Sequence, residues 1–169
     1  MRLRILIGLL LGSAFIGLLL LPLTPTGYTA IELIEEGRGK KILSIVVPYD
    51  ERVTLTWRNS QFGLDVTEVF FARSGVLVQD QVTFAVPGGP PPPRVSPRDV
   101  TDLYHTGGAF DARGLSRPFS RIVYRIGEIG DPKLRVQNKT IALKLAAGFG
   151  GRVILTAVSP AIYEIIFHR

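Results

Sequence analysis

Val53-Thr54-Leu55-Thr56-Trp57-Arg58 decides the fold class of this chain. Val53, Leu55 and Trp57 fall on one side of an extended backbone and Thr54, Thr56 and Arg58 on the other, a period of two. Such a strand has one buried face and one wet face. Working outward, Ile42 to Val47 is a continuous apolar run ended by Pro48. Glu68 to Phe71 and Val76 to Phe84 read as two strands joined at Ser74-Gly75, a hairpin signal. The same style continues through Arg121 to Ile126, Leu134 to Val136, Ile141 to Leu145, Val153 to Val158 and Ile162 to Phe167. Turns are expected at Gly127 to Pro132, Gln137-Asn138-Lys139, Gly148 to Gly151 and Pro160. About nine or ten short strands separated by turn signals describe an all-β chain, an antiparallel β-sandwich or barrel. No helix is expected within this β-domain.

One stretch interrupts the pattern. Between residues 86 and 120, Pro87, Pro90 to Pro93 and Pro97 exclude a central strand and favour a polyproline-like segment. Gly107, Gly108, Gly114 and Pro118 extend it, so 86–120 is expected to be a long Pro/Gly loop, functional or mobile, with Gly89 to Gly108 as its mobile part.

The N-terminus carries a different signal. Ile5 to Leu21 is an unbroken apolar run of 17 residues behind Arg2 and Arg4, the only charges before Glu32. Basic flanks stay on the cytoplasmic side of a bilayer, so the remainder is expected outside the cytoplasm. Seventeen residues lie at the lower edge of what spans ~30 Å of hydrocarbon, and Pro22 and Pro25 would end the helix at the surface. The small residues before a signal-peptidase cut are imperfect in Gly27-Tyr28-Thr29-Ala30, where Tyr28 is bulky. The expectation is therefore a signal-anchor helix over 1–24, a juxtamembrane segment over 25–40 and an extracytoplasmic β-domain over 41–169. The chain is expected in the cell membrane as a single-pass protein with the lipid bilayer as its first partner.

Charge and composition narrow the function. The net charge of +6 includes Arg2 and Arg4, which leaves +4 for the remainder. No Lys/Arg run exceeds two residues, so no nucleic-acid partner is expected. With no cysteine there is neither disulfide nor thiolate chemistry. The two histidines, His105 and His168, have no second ligand at metal-binding spacing. No Gly-x-Ser-x-Gly elbow occurs, and Gly148-Phe149-Gly150-Gly151 lacks the Lys-Ser/Thr pair of a phosphate loop. No catalytic set, cofactor or metal is expected; an enzyme would need Glu68, His105 or Asp111 to converge in one pocket.

The binding candidates fall in two groups. Asn59, Ser60 and Glu68 surround the first hairpin. An inward-facing Glu68 needs a partner, for which Arg58 or Ser60 across the turn is expected. Gly89, Pro91, Arg94, Arg98 and His105 lie in the long loop, and Arg94 and Arg98, with Arg113 and Arg117, could attract a carboxylate or phosphate head group. Asn138-Lys139-Thr140 matches a glycosylation acceptor but reads better as a hairpin turn.

Leu55 to Ser60, Gln61 to Asp65 and Val66 to Phe70 together resemble the opening of the family termed domain of unknown function 1850. There a strand runs into a His-Ser-Val motif, then a short turn with a Pro, then a strand carrying a Glu. Ser60 falls on the motif Ser and Glu68 on the Glu, whereas Asn59 stands where the His is usual and Asp65 where the Pro is usual. Gly88-Gly89-Pro90-Pro91 partly matches a later Gly-x-Gly-Leu-Pro-like turn, and the resemblance extends over about Lys41 to Val158. It implies a small anchored or exported accessory of a tripartite periplasmic transporter, with the permease or the solute-binding protein as partner and without catalytic activity. The alternative is a structural docking subunit of another membrane or envelope complex.

Overall fold

In a computed structural model of the chain, the structure describes residues 27–160 and Ile165. The expected anchor at 1–24 lies outside them, as does most of the expected strand at Ile162 to Phe167, whose one described residue, Ile165, is helical. No helix among the described residues is long and apolar enough to cross a membrane.

The described chain is mostly β and forms two sheets. The first strands are β1 (Tyr28–Glu35), β2 (Lys41–Pro48), β3 (Glu51–Asn59), β4 (Leu64–Arg73) and β5 (Val76–Ala85). After them come β6 (Arg94–Val95), helix α1 (Val100–Thr106), β7 (Phe110–Phe119), β8 (Arg121–Arg125), β9 (Lys133–Val136) and β10 (Lys139–Ala142). Helix α2 (Leu143–Ala147) and β11 (Arg152–Val158) complete the fold. The smaller sheet has the order β2-β1-β11-β8 and the larger one β10-β9-β3-β4-β5-β7-β6. Every pairing is antiparallel except β6 with β7.

Three sequence expectations are corrected. Within the stretch expected as a juxtamembrane segment, Tyr28–Glu35 is β1, which lies between β2 and β11 with Ile31 and Leu33 fully buried, so the β-domain includes residues before 41. The segment 86–120 is not one continuous loop: it holds β6, α1 and the ten-residue β7. Two short helices occur where none was expected, and α2 replaces the second half of the strand expected over Ile141 to Leu145. Its Leu143 is fully buried and its backbone N–H donates to Pro132 O at 2.8 Å, so packing of one leucine turns the chain.

Two hydrophobic clusters explain the layout. The larger sandwiches both sheets, bringing Ile31, Leu33 and Val47 from one together with Val53, Leu55, Phe70, Ala72 and Leu77 from the other. The long strands β4, β5 and β7 then run beyond the smaller sheet. Their exposed ends would leave Leu64, Val66, Val82, Phe84, Phe110 and Ala112 in water. The segment from β6 through α1 covers them, with Val100 fully buried. A helix of seven residues is marginal in isolation; this one exists because burying a side chain such as Val100 contributes about 1.5–3 kcal/mol. Trp57 packs against both clusters and marks the seam between them.

The seam coincides with breaks in strand register. Val69 pairs with Gln81 and Phe70 with Gln79, which leaves Asp80 as an extra residue on β5. The neighbouring β7 skips from Arg113 opposite Gln81 to Arg117 opposite Gln79. Such bulges turn strands and re-aim side chains. Here they let Leu77 and Gln79 face inward below the break and Val82 and Phe84 above it.

Candidate functional site

Glu68 sits in the seam. Strand alternation puts it on the same inward face as Leu64, Val66, Phe70 and Ala72, and only 9 % of it is exposed. A lone buried carboxylate costs several kcal/mol unless its oxygens are hydrogen-bonded. Three donors reach it: Gln79 Nε2 donates to Oε1 at 2.9 Å, and Trp57 Nε1 and Tyr124 Oη donate to Oε2 at 3.3 and 3.2 Å. The expected partners, Arg58 and Ser60, do not supply these bonds. Arg58 faces the other side of β3 and pairs with Asp65 at 3.5 Å.

The electrostatics follow from burial. Desolvation pushes the Glu68 carboxyl above its ordinary value of 4.5, against the pull of the Trp57, Tyr124 and Gln79 hydrogen bonds. Burial likewise raises the phenols of Tyr104 and Tyr124, and the Glu68 carboxylate adds to both shifts, so both stay protonated donors. Arg117 opposes the shift of Tyr104, which places a cation near the same seam. An edge-on aromatic chain binds the cover to the sheet: Trp57 to Phe84 at 6.3 Å between centroids and Phe84 to Tyr104 at 5.1 Å.

Trp57 and Tyr124 reach from the buried carboxylate to the surface. Strand β8 leaves β7 at Ser120, places Tyr124 over Glu68 of β4, and continues into residues 126–132, where Gly130 O accepts from the Arg58 N–H at 2.8 Å. Clefts of about 370, 260 and 170 Å³ open around this crossing, and Trp57 and Gly130 line all three. Arg125 and Gly127 line the two smaller ones. Arg125 is exposed and has no carboxylate partner among the described residues, whereas Arg58 and Lys133 at the rim pair with Asp65 and Asp131. The composite groove therefore has an aromatic wall, one uncommitted guanidinium and a floor held by the Glu68 hydrogen bonds. That combination suits recognition of a ligand with an apolar part and a negative part.

The sequence-predicted residues separate. Asn59 ends β3 and Ser60 opens the β3–β4 turn, and both line the 260 Å³ cleft. Asn59 also has a structural task, its Oδ1 accepting the backbone N–H groups of Gln61 and Phe62 at 2.9 and 3.0 Å. Gly89 closes a tight turn by donating to Val86 O at 2.9 Å, and Pro91, Arg94 and Arg98 are exposed around β6. His105 is exposed on α1. None of these five lines the Trp57 groove.

Glu68, His105 and Asp111 do not converge. Asp111 faces outward opposite Thr83, where Oδ1 accepts from Gln81 Nε2 at 2.7 Å and from Thr83 Oγ1 at 2.8 Å, and Oδ2 accepts from Arg113 Nε at 2.9 Å. Burial raises its carboxyl, but the bonds from Thr83, Gln81 and Arg113 and the Arg113 charge together hold it below its ordinary value. No cluster of three or more His, Cys, Asp or Glu suited to a metal occurs among the described residues.

Sequence reasoning missed Gln79, Tyr124 and Arg125. The first had a signal: the apolar alternation of Leu77 and Val82-x-Phe84 changes parity across Gln79-Asp80-Gln81. Tyr124 is brought to Glu68 from 56 residues away by pairing across the fold, and its neighbour Arg125 is thereby placed at the cleft. Compared with models of known protein families, with curated proteins and with solved structures, the chain shows no match.

Proposed function

We propose that this chain is a membrane-tethered, extracytoplasmic β-domain that assists a tripartite-type secondary transporter by binding its permease or its solute receptor. The observation that carries a binding role is the groove at Trp57, where an aromatic wall and the uncommitted Arg125 stand on a floor fixed by the Glu68 hydrogen bonds. Binding surfaces favour such pre-organised aromatic and arginine anchors. The apolar run Ile5 to Leu21 supports the tether. Tethering raises effective concentration, so that a weak contact in a membrane becomes an occupied one. The resemblance of Leu55 to Phe70 to the domain of unknown function 1850 family supports the transporter as the target.

The test is a photoreactive residue at position 125 of the full chain, crosslinked in native membranes. Crosslinks to a permease or a solute-binding protein are expected. A stoichiometric complex that holds neither would overturn the transporter reading and favour a structural subunit.

A further inference from the structure

The outer edge of β8 carries a consequence for the partner. β8 is the terminal strand of the smaller sheet and pairs only with β11. At its end Ile126 donates its N–H to Gly151 O and accepts at its own carbonyl from the Gly150 N–H, both at 2.9 Å, so the backbone groups of Ile126 face the β11 side. Alternation in an antiparallel ladder then turns Tyr124 and Ile122 toward β11 and the N–H and C=O groups of Val123 and Arg125 outward. These outward groups border the cleft that Trp57, Val123, Tyr124 and Arg125 line. Val123 itself is 44 % exposed.

We infer that an extended, acidic segment of a partner protein adds to this edge as a further strand, its carboxylates on Arg125 and one side chain against Trp57. Charge selects the occupant. Glu36 pairs with Arg121 and Arg152, whereas Arg125, directly opposite Arg152 on β11, has no carboxylate partner among the described residues. A second copy of β8 added antiparallel would set Arg121 against Arg125 at both ends, and like charges facing across strands are destabilising. An edge with basic side chains thus rejects itself and accepts an acidic strand. Strand addition takes its affinity from main-chain hydrogen bonds and its specificity from alternate side chains. The inference rests on the binding role proposed above, and it names the partner's chemistry.

Trp57 is the single tryptophan, so its emission reports the groove directly. The full chain in detergent micelles is titrated with an acetylated octapeptide of alternating valine and glutamate, and with its valine–lysine counterpart. A saturable change is expected with the acidic peptide, at a Kd at least tenfold lower than for the basic one. Val123→Pro removes an outward N–H while sparing the β11 ladder, and is expected to raise that Kd tenfold or more. Should that variant not fold, Arg125→Glu at an exposed position is expected to reverse the preference. Equal affinity for both peptides, no saturable change, unaltered binding in the folded variants, or sedimentation showing dimers joined through β8 would each overturn the inference. Peptide binding without permease or solute-receptor crosslinks would sink only the transporter reading; crosslinks without peptide preference would sink only this one.

Discussion

Tyr124→Phe isolates the contribution of the seam, because it deletes one hydroxyl and leaves the ring that packs on the core. The lost bond is the 3.2 Å donation to Glu68 Oε2, after which only Trp57 at 3.3 Å serves that oxygen. Hydrogen bonds to charged groups contribute about 1.5–3 kcal/mol; the length of this one places it near the lower end, at ~1.5 kcal/mol where Glu68 is ionised. The sign of the pH dependence follows from linkage. Burial already lifts the Glu68 carboxyl above 4.5, so its stability contribution is fullest below that value and declines as pH rises through the folded-state pKa. Removing a donor that favours the ionised form lifts the pKa further and steepens the decline. The destabilisation of Tyr124→Phe is therefore smallest below the ordinary carboxylate value and grows as pH rises through the folded-state pKa of Glu68. Urea unfolding of both proteins, followed by Trp57 emission at several pH values, measures it. A loss that stays under about 0.5 kcal/mol across the whole pH range, or one that grows toward acid, would refute the account of the seam.

Other expectations probe the cover and the outer carboxylate. Gly107 ends α1 at φ 76°, and a Cβ there would lie 2.7 Å from the Phe62 ring. Gly107→Ala is expected to loosen α1 from the sheet at a cost of about 1–3 kcal/mol, read as faster amide exchange over 100–106 with the β1–β11 ladder unchanged. Asp111→Asn should show the pH response opposite to that of the seam. The folded-state pKa of Asp111 is depressed, so the wild type's advantage is present above the ordinary value of 3.8 and vanishes as pH falls below it. About 1–2 kcal/mol at pH 7 is expected from its lost charge-assisted bonds, and an advantage that does not decline as pH falls below 3.8 would count against the assignment.

How much of this was legible in the sequence depends on the range of the contacts. The period-two stretch Val53 to Arg58 gives β3 its buried face, and Ser74-Gly75 and Gln137-Asn138 give two hairpins, because each of these signals is local. The 86–120 segment was misread because its prolines speak only of backbone preference. Val100, Leu103 and Tyr104 form a helix in response to an apolar sheet end that they cover, and that surface exists only once β4, β5 and β7 have paired. The same holds for α2, where burial of Leu143 overrides the strand-like run from Ile141. Local propensity yields wherever tertiary burial contributes more.

The site shows the same limit at higher resolution. Glu68 is recognisable as an inward acid from its apolar neighbours, yet proximity in sequence points only to Arg58 and Ser60 at the adjacent turn as partners. Strand parity already argues against Arg58: it alternates with Trp57, so whichever of the two faces Glu68, the other cannot. With Leu55 opposite Glu68 and Trp57 on the same face, the indole is the donor within reach and the guanidinium is left for Asp65 on the wet side. Trp57 thereby couples two properties. Its N–H is fixed by a buried carboxylate while its ring borders the cleft at the β8 edge, so any partner that displaces the ring must also disturb the Glu68 hydrogen bonds. Occupancy of the groove and stability of the seam are linked through one side chain.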